Sequence, residues 1–163
     1  MSGRIGLGFD VHKLVEGRPC KLGGIVLPHP RGPLGHSDGD AVLHAIADAV
    51  LGAAGLDDLG TLFSDQDARW KDADSAVLIA ECLRRARRGG WEIGNLDLVI
   101  ATEGPQIAPH RQALRESIAR ICGIKPGQVN VKGKSVEGLG ALAGGTGVAV
   151  QAVCLLVPAG IED

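Results

Sequence analysis

Aromatic residues are nearly missing from this chain: two Phe, two Trp and no Tyr among 163 residues. That leaves no platform on which single-stranded bases stack. An excess of one charge is missing too. Seventeen Lys and Arg against nineteen Asp and Glu give a formal net charge of −2, no field to gather nucleic acid or to hold an anionic membrane. Cys20, Cys82, Cys122 and Cys154 show no C-x-x-C spacing, so they read as reduced, mostly buried thiols rather than a thiolate zinc site. No apolar run reaches membrane-spanning length, and the N-terminus lacks the charged-then-apolar layout of a signal peptide. The expectation is a soluble, cytoplasmic protein. Other signatures are absent as well: no Walker A, and no Cys beside a candidate base. Any chemistry must then come from positioning and electrostatics, which suffice for phosphoryl transfer.

What is present fits one domain over residues 1–163, long enough to bury an ordinary core. Arg4 to Leu14 alternates as a strand, with Ile5, Leu7, Phe9 and Val11 on one face and Asp10 and His12 on the other. Gly6 and Gly8 share the Asp10 face and leave room there for a backbone or a ligand. Cys20 to Leu27 reads as a hairpin around Gly23-Gly24, and the proline-rich Pro28 to Pro33 as a loop carrying a solvated His29. A helix is predicted from about Asp40 to Gly52–Gly55, with Ser37 or Asp38 as its cap and free amides suited to a phosphate. The polar stretch Leu56 to Asp67 is long for a plain connection and reads as a binding loop or lid.

Further along, Asp74-Ser75 caps a helix over Ala76 to Arg88, whose Arg84, Arg85, Arg87 and Arg88 read as a solvated end. Strands are predicted at Trp91–Thr102 and Val129–Ser135, and a helix at Pro109–Cys122 stopped by Gly123. A turn follows at Glu137–Gly145, and Gly147–Val157 is an apolar strand that closes the sheet. The class is α/β (α+β): helices packed on one mixed sheet.

Asp10, His12, His36 and His44 are the metal-binding types in the first third. Two ligands on one strand face and a third on a capped helix suit Zn²⁺, with a coordination position left open. An ordinary surface pair at Asp10 and His12, with His44 packed in a core, remains the other reading; spacing alone leaves both open.

Gly8-Phe9-Asp10-Val11-His12, the run His36-Ser37-Asp38-Gly39-Asp40 with His44, and Asp58-Leu59-Gly60 before Phe63-Ser64-Asp65 stand in order. Together with Pro105 to His110 and Asn130-Val131-Lys132 leading to Glu137, they resemble the 2-C-methyl-D-erythritol 2,4-cyclodiphosphate synthases of the non-mevalonate isoprenoid pathway. The resemblance implies a homotrimer around a central cavity, with active sites between subunits. It implies a lyase that cyclises 4-diphosphocytidyl-2-C-methyl-D-erythritol 2-phosphate and releases CMP. Asp10, His12 and His44 would hold zinc, and Glu137 a second ion, Mg²⁺ or Mn²⁺. His36 and Ser135 would stabilise the transition state. Ser37, Asp58, Leu59, Gly60, Phe63, Ser64, Asp65, Gln66, Asp67 and Lys134 would bind the methylerythritol diphosphate. Thr102, Glu103, Gly104, Pro105, Gln106, Ile107 and Ala108 would bind cytidine. The chain departs from the family's pattern at Gln106 and Lys134, and at Ala141, Gly144 and Thr146 beside the central cavity. Two alternatives share these residues: a metal-dependent phosphohydrolase, and a non-catalytic trimer that binds isoprenoid diphosphates.

Overall fold

The computed structural model describes residues 2–64 and 66–160. Alternating apolar residues build the strands β1 (Arg4–Glu16), β2 (Cys20–Leu22), β3 (Ile25–Leu27), β4 (Arg31–Pro33), β5 (Trp91–Ala101), β6 (Val129–Lys134) and β7 (Gly147–Pro158). Five of them form one sheet in the order β4-β1-β7-β5-β6, and β2 and β3 form the expected hairpin. β5 and β6 run parallel, while the other neighbours are antiparallel, so the sheet is mixed. The helices are α1 (Ala41–Ala54), the short α2 (Leu59–Leu62), α3 (Ser75–Arg88) and α4 (Arg111–Cys122). Helices α1, α3 and α4 cover the face on which Leu96, Leu98, Ile100, Val148, Val150, Ala152, Cys154 and Leu156 are buried.

Two expectations from the sequence are corrected here. The last strand does not close the sheet: β7 pairs with β1 on one side and β5 on the other, which makes it the centre. Its nearly all-apolar composition, broken only by Gln151, fits a strand with no free edge. Arg31–Pro33 is not loop but a short strand against Leu14–Glu16. Proline is tolerated there because β4 is an edge, where a missing N–H breaks no second ladder.

Helix α1 lies directly on β1. A Cβ at Gly8 would fall 1.8 Å from the Ala45 carbonyl oxygen, and one at Gly6 would fall 1.9 Å from that of Ala49. Only glycine permits this approach. Alanines at positions 41, 45, 49 and 53 line α1 at four-residue spacing and are all buried.

The cap of α1 is Asp40, not Ser37 or Asp38. The side chain of Asp40 is fully buried and accepts N–H bonds from Val42, Leu43, Gly23 and Gly24 at 3.2, 3.1, 2.8 and 2.7 Å. Burial raises its carboxyl to about 6, against the lowering pull of those amides. Its own carboxylate therefore fills the anion position that the sequence suggested for a phosphate. Asp38 turns away to accept from the Lys21 ammonium at 2.7 Å.

The other face of β1 is bare in the single chain, with Ile5, Leu7, Phe9 and Val11 between 51% and 75% exposed. A patch of this kind on a folded chain marks an interaction surface.

The close contact predicts that Gly8→Ala destabilises the protein by about 3 kcal/mol, the upper end of overpacking costs. Gly52→Ala, in a helix interior with nothing within 4 Å of the new methyl, should instead stabilise by about 0.5–1 kcal/mol. Denaturant midpoints of the two variants check both signs.

Candidate active site

Strand alternation puts Asp10 and His12 on the helix side of β1, and His44 projects towards them from the first turn of α1. Asp10 Oδ2 lies 2.8 Å from His12 Nε2 and 3.1 Å from His44 Nδ1. One ligand atom from each residue falls within 4.8 Å of the others, and all three residues are partly buried. Ala45, which touches Gly8, directly follows His44, so the glycine contact sets the reach of that imidazole.

The donor set fits a metal. His12 Nδ1 lies 2.6 Å from the Leu34 carbonyl oxygen, which can only accept, so Nδ1 carries hydrogen and Nε2 turns its lone pair towards Asp10. A lone pair facing a carboxylate needs a proton or a cation between them. Burial penalises the charge on Asp10, yet the two imidazoles beside it prevail and hold its carboxyl at about 2. Burial also works against charge on His12, and the Asp10 carboxylate overcomes it and raises that imidazole above 6.5. One carboxylate oxygen and two imidazole nitrogens are a donor set for Zn²⁺ with an open fourth position.

The triad sits in a cavity of about 270 Å³ lined also by His36, Ser37, Asp48, Leu59, Gly60, Phe63, Trp70 and Leu78. His36, Ser37, Leu59, Gly60 and Phe63 thus share one cavity with the triad. Asp48, Trp70 and Leu78 were not foreseen. Asp48 accepts the Leu59 N–H at 2.7 Å and ties α2 to α1; Trp70 meets Phe63 edge-on at 5.0 Å. Asp58 is exposed and caps α2 through the Thr61 N–H. Ser64 and Gln66 are exposed, and Asp67 pairs with Arg69 at 2.6 Å. Asp65 lies outside the described residues. The four arginines near the end of α3 are exposed, as expected, with Arg84 and Arg85 paired to Glu81.

A second cavity of about 410 Å³ is lined by Thr102, Glu103, Pro105, Gln106, Ile107, Ala108, Arg111, Gly133, Lys134 and Ser135. Gly104 lines a separate recess beside His29. The Thr102 hydroxyl is buried against the carbonyls of Gly104 and Gly147, at 2.6 and 3.0 Å, so it braces the loop. Glu137 is exposed with φ 53° and gives its N–H to Ser135 Oγ at 2.9 Å. The metal cavity and this one have no lining residue in common. Within one chain, then, His36 and Ser135 do not share a pocket, and Glu137 stands apart from the triad.

The family model described as "YgbB family" matches residues 3–157. This chain belongs to the YgbB family. Within it, the 2-C-methyl-D-erythritol 2,4-cyclodiphosphate synthase of Chromobacterium violaceum is 52% identical over 156 residues, 96% of this chain and 99% of that one. A solved synthase of the same name in its CDP-bound form superposes with a TM-score of 0.87 at 41% identity, covering 94% of this chain and all of that one. The bifunctional IspDF of Campylobacter jejuni superposes at 0.91 and 35% identity over 95% of this chain, which spans 42% of that longer protein. The family match runs through this YgbB chain almost end to end. Among its described residues, no helix is long and apolar enough to cross a membrane.

Because a proton on His12 must leave before a metal binds, zinc affinity should rise with pH through and above 6.5, the ordinary imidazole value that His12 exceeds. Competition with a chromophoric chelator across pH measures this. His44→Ala should remove zinc retention while circular dichroism stays unchanged, since a helix accepts alanine well.

Proposed function

We propose that this chain is a 2-C-methyl-D-erythritol 2,4-cyclodiphosphate synthase acting in the cytoplasm. It converts 4-diphosphocytidyl-2-C-methyl-D-erythritol 2-phosphate to the cyclic diphosphate and CMP. The observation that carries the reading is the Asp10–His12–His44 triad opening into a pocket with His36, Ser37 and Gly60. Membership of a family whose curated relatives bear that name supports it.

An oxygen of the substrate's 2-phosphate forms the new bond to the β-phosphorus. The bond from that phosphorus to the bridging oxygen breaks, and CMP leaves with the electron pair. The substrate supplies its own nucleophile, so the reaction calls on none from the protein. Zinc held by Asp10, His12 and His44, and Mg²⁺ or Mn²⁺ held by Glu137, would supply positive charge along the diphosphate. His36 would donate to the phosphate oxygens from the rim of the metal cavity, and Ser135 from the second one. The loop from Asp58 to Asp67, with Ser37 and Lys134, would hold the methylerythritol diphosphate. Thr102 to Ala108 would receive cytidine, and the bound CDP of the solved relative supports a nucleotide pocket.

The separation of the two cavities supports a site completed between subunits. The bare apolar face of β1 supports the homotrimer that would bring them together, because a buried interface would cover Ile5, Leu7, Phe9 and Val11.

Phosphorus NMR of the purified protein with the cytidyl substrate and Mg²⁺ tests the reading. Cyclic diphosphate and CMP should appear and should cease to appear after zinc chelation. Open-chain phosphates would convert the reading to a phosphohydrolase, and intact substrate would remove catalysis. Analytical ultracentrifugation should give three times the chain mass of 16.8 kDa.

A further inference from the structure

The far side of His44 is held by a chain of polar groups that nothing in the reaction calls on. His44 Nε2 lies 2.9 Å from Ser75 Oγ, and that hydroxyl also contacts Asp38 Oδ1. Asp38 in turn accepts from Lys21 Nζ at 2.7 Å, from the Ser75 N–H at 3.1 Å and from the Asp40 N–H at 3.2 Å. Lys21 is anchored from its other side by Asp74, at 3.1 Å.

Proton counting gives this chain a direction. Burial favours the neutral form of Asp38, but the Lys21 ammonium and the hydrogen bonds of Ser75 prevail and keep its carboxyl below the usual range. An ionised carboxylate has no proton to give. Ser75 has one hydroxyl proton, and it goes to Asp38. What the hydroxyl turns towards His44 is then a lone pair, which can only accept. His44 must carry its hydrogen on Nε2, and its Nδ1 is left as a bare lone pair aimed at Asp10. Ser37 Oγ, 3.2 Å from the same Nε2, receives the Gly39 N–H and keeps its own proton free to rotate, so it fits either state and does not choose between them.

We infer that Lys21, Asp38 and Ser75 are positioning residues that fix the tautomer of His44 and so set the zinc affinity of the site. The inference rests on the metal reading of the triad. None of the three touches the Asp10 side of the imidazole; each acts through the next. His12 reaches the matching state by a different route, through the Leu34 carbonyl, so the two imidazoles are oriented independently. Partners of this kind typically alter metal affinity by about 10–100-fold.

The test compares the full chain with Ser75→Ala and Asp38→Asn. Nitrogen-15 NMR of the histidines, in metal-free protein at a pH where the imidazoles are neutral, reads the tautomer. Chelator competition reads zinc affinity. In the unaltered protein His44 should be the Nε2–H form. Ser75→Ala should lose about 10–100-fold in zinc affinity and show a mixture of tautomers, with little change in Tm, because the Asp74 side chain still caps α3 through the Ala76 N–H. Asp38→Asn should reverse the chain: its amide donates to Ser75, the hydroxyl proton swings to His44, and the Nδ1–H form gains. An Nδ1–H His44 in the unaltered protein would overturn the inference, as would both variants binding zinc like the unaltered chain. If the unaltered chain binds no zinc, the metal reading fails instead, and the tautomer signature alone decides whether the chain of protons is correct.

Discussion

Helix α1 rests on β1 with backbone against backbone, and the geometry of the site follows from that contact. Gly6 and Gly8 remove the two side chains that would hold the helix away, and the alanine stripe of α1 removes the corresponding ones on the helix. Close packing of this kind leaves no slack. The imidazole of His44 reaches Asp10 because its backbone is held about one side chain nearer the sheet than ordinary helix–sheet packing allows. The buried Asp40 fixes the other coordinate, the point at which α1 begins, by collecting amides from the helix and from the β2–β3 turn. Strand, hairpin and helix are thus clamped at one place, beside the metal ligands.

Strand β1 carries a different obligation on each face. Inward lie the glycines, Asp10 and His12; outward lie Ile5, Leu7, Phe9 and Val11. A two-residue period keeps these assignments from mixing. It also couples them, since a shift of β1 driven from its outer face moves two residues of the candidate metal site. The exposed apolar face and the candidate metal site share one strand.

Much of this was legible because it is local. Period-two alternation revealed the Asp10–His12 plate, and helical spacing with Gly55 as a stop revealed α1. What escaped depends on chain segments distant in sequence. Asp38, just ahead of α1, looked like a cap; its partners are Lys21 and Ser75, 17 and 37 residues away. Ser75 read as a helix start, which it is, but its contact with His44 spans 31 residues and leaves no local trace. The position of β7 at the centre of the sheet depends on which strands it pairs with, a matter of topology that an apolar run does not encode. Asp48 was hidden differently: it stands within α1 and looks like an ordinary polar position until α2 folds back onto it. The family motifs pointed to residues in both cavities, but not to Asp48 or Trp70, nor to one chain keeping those cavities separate.

The four cysteines carry one more consequence. Each is at most 1% exposed and unpaired, and burial pushes Cys20 up to about 11 and the other three to about 12. Thiolate, the reactive form, is almost absent from all four at neutral pH. The native fold is thus silent towards alkylating reagents without any cysteine being replaced. A single cysteine introduced on the surface would take a fluorophore or a spin label alone, and a dye on the outer face of β1 would report assembly directly.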